Sequence, residues 1–349
     1  MIFLLLVPLA WCPFIVSEHT ILRMVLICAG AAWLCVKAKD RPMTPGGWCL
    51  LALLALASVS AIYNGAGLIG RWNSYDHGLI AMAIFVAIYR YSHGEVFKPM
   101  VLCACVLSLV GLAQWAPIPT KILPFIGRTS SLIGSPVHLG TFLAICLPLS
   151  VEFARRDRRW YFSVALIFAC IISTLSRGAL LASAFSVAVY FCLEIPKSRR
   201  SIVLSSAFVA CLCLLHIAKR DTAQSDIGRS EAWRVALIEI KRHPLLGVGP
   251  DNMEHSYRKE MTPSFDQESW GTTSHANAHN DWLQIGATLG IPALLLYLAA
   301  QFLVVIRLLW LGRFAEVAAL SAAFIAAKFN PMTICGILYC AILAGREHD

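Results

Sequence analysis

Apolar runs long enough to cross a bilayer recur from Met1 almost to the last residue, and this repetition decides what the chain can become. In hydrocarbon every backbone N–H and C=O must find its partner inside the structure, so only helices and closed barrels span it. The runs are rich in Leu, Ala and Val and lack two-residue alternation, which selects helices. With 58% hydrophobic and 14% charged residues, the composition excludes an ordinary soluble domain. The expected fold class is therefore all-α, a polytopic transmembrane helix bundle.

Read with a minimum of about 16 residues per span, slightly under the usual length of about 20, the sequence predicts twelve spans. They lie near 1–16, 20–37, 46–63, 77–92, 99–116, 136–153, 160–175, 179–195, 201–218, 281–309, 312–328 and 329–345. The first begins Met1-Ile2-Phe3-Leu4 without a basic leader or a following small-residue cleavage site, so it reads as a span and not as a removed signal.

Cytoplasmic loops of membrane proteins keep the positive excess. One set of alternating connections holds Lys37, Lys39, Arg41, Arg90, Lys98, Arg155, Arg156, Arg158, Arg159, Lys197, Arg199, Arg200, Arg307, Arg313 and Arg346. The opposite short loops hold only Arg71, Lys121, Arg128, Arg177 and Lys328, a ratio of 15 to 5 that predicts both termini in the cytoplasm. The net charge of +9 is mostly this topogenic charge spread over separate loops, which argues against a nucleic-acid partner. All 13 cysteines lie in apolar runs, so nothing in the polar part implies a disulfide or a thiolate metal site.

One segment does not read as membrane. From 219 to 280 the chain is polar and nearly neutral, with eight Lys/Arg and nine Asp/Glu. This large periplasmic loop separates N-terminal helices (1–218) from C-terminal ones (281–349). Within it Ser230 is a candidate N-cap, Trp233, Leu237 and Ile240 share one face of an amphipathic helix, and His243-Pro244 ends it. Gly247-Val248-Gly249-Pro250 then turns the chain.

Three features can carry chemistry. Ser176-Arg177-Gly178 divides an apolar stretch too long for one crossing, so the helix must break at the outer surface. A helix end and a guanidinium together suit a phosphate, although a plain hairpin turn with an interfacial arginine explains the same residues. Arg128, Arg229 and Arg234 form an external arginine set suited to a pyrophosphate headgroup, with Arg234 the most readily explained as solvated surface charge. Where the loop re-enters the membrane, His275-Ala276-Asn277-Ala278-His279-Asn280 offers a proton acceptor in His279 and a hydrogen-bonding partner in Asn280. His275 and His279 share the i, i+4 spacing of metal ligands, but no glutamate accompanies them, and neither a metal nor another cofactor is expected. Transport is disfavoured because Glu152, Glu194 and Glu316 fall near span ends and none of the predicted spans carries a midplane carboxylate.

His279-Asn280, followed by nine residues and then Gly290, resembles the His-Asn/Ser/Gln-x9-Gly signature of the O-antigen ligases. Gly134-Ser135-Pro136-Val137-His138-Leu139-Gly140, Leu175-Ser176-Arg177-Gly178-Ala179 and Pro244-Leu245-Leu246-Gly247-Val248-Gly249 are similar to the superfamily these enzymes share with O-antigen polymerases and O-oligosaccharyltransferases. The resemblance spans roughly residues 125–300. It implies a metal-independent glycosyltransferase of the bacterial inner membrane that takes a polyprenyl-pyrophosphate-linked glycan as donor and a lipid or glycolipid hydroxyl as acceptor. It also implies that Arg177 and Arg229 engage the pyrophosphate and that His279 serves the acceptor hydroxyl; by their own positions in the sequence Arg128, Asn280, Arg234 and His275 are further candidates for substrate contact.

Overall fold

The structure, a computed structural model, describes residues 7–9, 19–37, 42–65, 78–91, 96–115, 127–200, 202, 204–206, 223–260, 277–330, 332 and 334–348. The first predicted span beyond 7–9, most of the span predicted at 201–218, and His275 lie outside the described residues.

Among the described residues there is no strand. The longer helices are α1 (His19–Lys37), α2 (Pro45–Tyr63), α3 (Gly78–Tyr91), α4 (Phe97–Ala113), α5 (Pro136–Arg156), α6 (Tyr161–Ser173) and α7 (Arg177–Glu194). They continue with α8 (Ala223–Arg242), α9 (Met253–Glu260), α10 (Asp281–Leu289), α11 (Ile291–Trp310), α12 (Phe314–Ala326) and α13 (Ile334–Ala344). Four of them, α2, α5, α7 and α11, are long and apolar enough to cross a membrane.

The bundle is organised around α5, whose residues Leu139 to Leu149 are almost wholly enclosed. Close packing on it comes from small side chains: Ala315, Ala318, Ala319, Ala322 and Ala326 of α12, and Ala179, Ala182 and Ser183 of α7, are all buried. In lipid, where burying carbon against carbon brings no hydrophobic gain, such small-residue faces let helix backbones approach and pack. The backbones come close where α5 begins, since a Cβ on Gly140 would stand 2.7 Å from Ala179 Cβ and 3.0 Å from Thr174 Oγ1.

Contacts between helix ends sort into two groups. At one end Thr44 caps α2, accepting from Gly47 N at 3.1 Å, and its hydroxyl joins Tyr89 and Glu347. The same end holds Arg155 with Glu194, and Arg313 and Arg346 around the buried Glu316. At the other end Ser60 donates to Leu246 O at 2.5 Å, Arg23 to Leu132 O at 2.6 Å, and Asp281 N to Ala327 O at 3.1 Å. The arginine-rich connections at 155–159, 313 and 346 gather at the first end; the polar segment gathers at the second.

Two sequence expectations change here. The run 281–309 is not one helix, because Gly290 takes φ +90 and Pro292 follows, so α10 and α11 meet at a corner. That corner is locked by the turn at 244–249: Ile291 N donates to Pro244 O at 2.8 Å, and a Cβ on Gly290 would lie 2.3 Å from Leu245 O. Ser230 is not an N-cap; α8 starts seven residues earlier and the Ser230 hydroxyl bonds back to Ile227 O at 2.7 Å. The buried face of α8 is accordingly rotated from the expected one: Ala232, Val235 and Ala236 are enclosed, Trp233 and Ile240 flank them, and Leu237 remains 48% exposed. The end of α8 at Arg242, before Pro244, and the left-handed turn at Gly247 and Gly249 match the sequence reading.

Candidate functional site

The break predicted at Ser176 is present. Leu175 takes φ +50, Ser176 is extended and its side chain accepts from Ala179 N, and Arg177 is the first residue of α7. This places the Arg177 backbone in the N-terminal turn of a helix, where unpaired N–H groups and the helix dipole favour an anion. Arg128 belongs to the same place: its Nε donates to Thr174 O at 2.9 Å while Thr129 N donates to Ser173 O at 3.3 Å, so the 127–135 loop closes the end of α6 beside the break.

His279 also stands at a strained turn, with φ +50, its N–H held by Asn277 Oδ1 at 3.0 Å. Such a conformation costs of order 1–3 kcal/mol and persists where surrounding structure enforces it, commonly at functional sites. Ser131, Leu175 and His279 all have this geometry and all lie at the end of the bundle that holds the polar segment. Asn280 has a structural occupation: its Oδ1 accepts from Trp282 N at 3.0 Å and Leu283 N at 3.3 Å, capping α10. The cap fixes the direction in which the chain leaves His279.

Arg229, on α8, donates to Asn330 Oδ1 at 3.3 Å. Arg234, one turn on, behaves differently. Its guanidinium is engaged by Glu231 at 2.6 Å and by Glu260 O, tying α8 to the end of α9. The Glu231 carboxylate raises the Arg234 pKa, as expected for a structural ion pair. The structure thus separates Arg234 from the other arginines.

What joins the candidates is the turn that ends α12, residues 326–330, which the sequence reading passed over as a soft boundary between two spans. Asp281 N donates to Ala327 O, tethering the α10 start beside His279. Gly178, next to Arg177, faces Phe329, with only 3.4 Å between its Cβ position and Phe329 Cβ. Asn330 receives Arg229. Lys328 completes the turn: its ammonium pairs with Asp281, lies 4.1 Å from the Trp282 ring centroid and 4.3 Å from that of Phe324. Within five residues, one turn touches the elements that carry Arg177, Arg229 and His279.

A second group missed by the sequence reading is His138, the third residue of α5, buried and near enough to His279 to interact with it electrostatically. It lies inside a motif already singled out, but nothing in a sequence says that residues 138 and 279 meet.

Beside His279 opens a cavity of about 650 Å³ between α2, α3, α11, α12 and α13. Its walls are mostly aliphatic and aromatic, Leu53, Met82, Phe324 and Ile337 among them, and its polar end is formed by Asn277, His279, Asn280, Asp281 and Gln284. An apolar chamber ending in a histidine and a cluster of amides suits an amphiphile whose head reacts while its tail stays in lipid. Among the described residues no cluster of three or more His, Cys, Asp or Glu is placed to hold a metal ion.

No curated protein matches the chain. Residues 162–298, from α6 into α11, match the family model described as O-antigen ligase, a stretch that contains Arg177, Arg229 and His279. Over that stretch the chain is similar to the O-antigen ligases, which supports kinship with their superfamily.

Proposed function

We propose that the chain is a ligase that transfers a glycan from a polyprenyl-pyrophosphate carrier to a hydroxyl of a lipid A-core or similar glycolipid acceptor. The observation that supports this most is the 326–330 turn, which joins the Arg177, Arg229 and His279 elements around one place next to an apolar cavity. In the reaction the acceptor oxygen attacks the anomeric carbon. The bond from that carbon to the pyrophosphate oxygen breaks, pyrophosphate leaves with the electron pair, and the hydroxyl proton passes to His279. Leaving-group charge is the main barrier, and guanidinium groups neutralise it through paired hydrogen bonds. Arg177 at a helix N-terminus, Arg229 held by Asn330 and Arg128 beside the break supply that charge, so the reaction runs without a divalent metal.

The same proposal covers topology. Twelve spans in the bacterial inner membrane, both termini in the cytoplasm and the polar segment in the periplasm fit the gathering of basic connections at the end of the bundle opposite His279.

Deleting the gene and resolving lipopolysaccharide on a gel tests the assignment. Loss of all banding above core, with lipid-linked polymer accumulating, is the expected result. Survival of a core-plus-one-unit band makes the enzyme a polymerase.

A further inference from the structure

The cavity beside His279 carries a polar ladder along one wall. Lys328 pairs with Asp281, and Tyr297 OH donates to the second carboxylate oxygen of Asp281 at 2.7 Å. One helical turn further along α11, Gln301 stands beside Tyr297. Asp281, Tyr297 and Gln301 all line the cavity, whose lining is otherwise mostly apolar. The Gln301 Oε1 is buried and accepts no hydrogen bond among the described residues. An amide carbonyl without a partner is expensive in an apolar setting, and Gln301 sits midway along α11, a helix long and apolar enough to cross a membrane. The ladder ends on a hydrogen-bond acceptor that a hydrocarbon occupant leaves unused.

We infer that this cavity takes the acyl chain of an acylated glycolipid bearing an N–H or O–H donor on or beside that chain, and that Gln301 Oε1 accepts the donor. An isoprenoid chain is hydrocarbon throughout and offers nothing to Gln301. The ladder therefore assigns the cavity to the acceptor lipid and requires the polyprenyl donor to bind along another face. The naming of two lipid substrates rests on the ligase reading; the chemistry of the cavity does not.

The test is equilibrium binding to the purified full chain in nanodiscs, with three probes: an N-(3-hydroxyacyl)glucosamine phosphate lipid, its ester-linked analogue without the hydroxyl, and undecaprenyl phosphate. Wild type should prefer the first probe to the second by about tenfold, the discrimination one hydrogen bond to a buried acceptor supplies. Gln301→Leu, of similar volume, should erase that preference and leave undecaprenyl phosphate binding unchanged; thermal melting of the variant confirms that it folds. Preference that survives in Gln301→Leu overturns the inference. So does competition of undecaprenyl phosphate with the first probe, or failure of wild type to distinguish the two acyl probes. No transfer is read in this experiment, so it stands or falls separately from the ligase assignment.

Discussion

Arg229 reaches Asn330 across 101 positions of sequence, joining a helix of the polar segment to the turn that closes α12. The bond places a guanidinium of α8 over the same turn that faces Gly178 and tethers Asp281. Asn330 is therefore expected to orient Arg229 without touching substrate. Asn330→Ala should lower the transfer rate about tenfold or more, since small misplacements of a charge-stabilising group are costly. Asn330→Asp, which keeps an oxygen toward Arg229, should recover part of the loss. Equal activity of both variants and wild type would detach this contact from the chemistry.

Arg177→Lys retains a positive charge but loses the planar fork that grips two phosphate oxygens at once. Transfer should fall sharply at normal expression. Arg234→Ala is the matched control: its partners are Glu231 and Glu260 O, so it should loosen the packing of α8 on α9, seen as a lower melting temperature, with little loss of turnover per folded molecule. Reversal of the two phenotypes would mean that the wrong arginine has been placed at the site.

Lys328 and Asp281 form an ion pair with side chains only 15% and 17% exposed. Removing one partner from such a pair strands the other charge, at a cost of about 3 kcal/mol or more. Asp281→Asn and Lys328→Met should each destabilise the protein, and the double variant should be closer to wild type than the sum of the two. Strict additivity in thermal or denaturant unfolding would show that the pair is not coupled.

The all-helical, apolar character was legible because apolar length is a local property, and four of the helices are long and apolar enough to cross a membrane; the break at Ser176 and the end of α8 before Pro244 were legible too, each marked by residues that cannot continue a helix. The corner at Gly290 was missed although the glycine and Pro292 are visible, because the apolar character continues unbroken across it while the backbone direction does not. Ser230 was misread because a serine inside a helix can satisfy its hydroxyl on the preceding turn, as it does on Ile227 O, and then carries no cap information. The sequence offers Asn280 as a group able to hold a substrate or the imidazole; its capping bonds to Trp282 and Leu283 needed coordinates. The 326–330 turn and His138 were out of reach for a deeper reason. Their roles come from contacts with residues 178, 229, 279 and 281, and one sequence carries no record of which distant positions meet.

His279 is expected to remove the acceptor proton while arginines, not a metal, hold the departing pyrophosphate. The direct measurement is transfer from a polyprenyl-pyrophosphate-linked glycan to core lipid by purified protein, wild type against His279→Ala, with and without excess chelator. Loss of a general base costs about 10²–10⁴-fold. The account predicts that His279→Ala loses transfer to that extent while still binding the lipid-linked donor, and that chelator leaves wild-type turnover unchanged. Near-wild-type turnover by His279→Ala, or activity abolished by chelator and restored by a divalent ion, would contradict it.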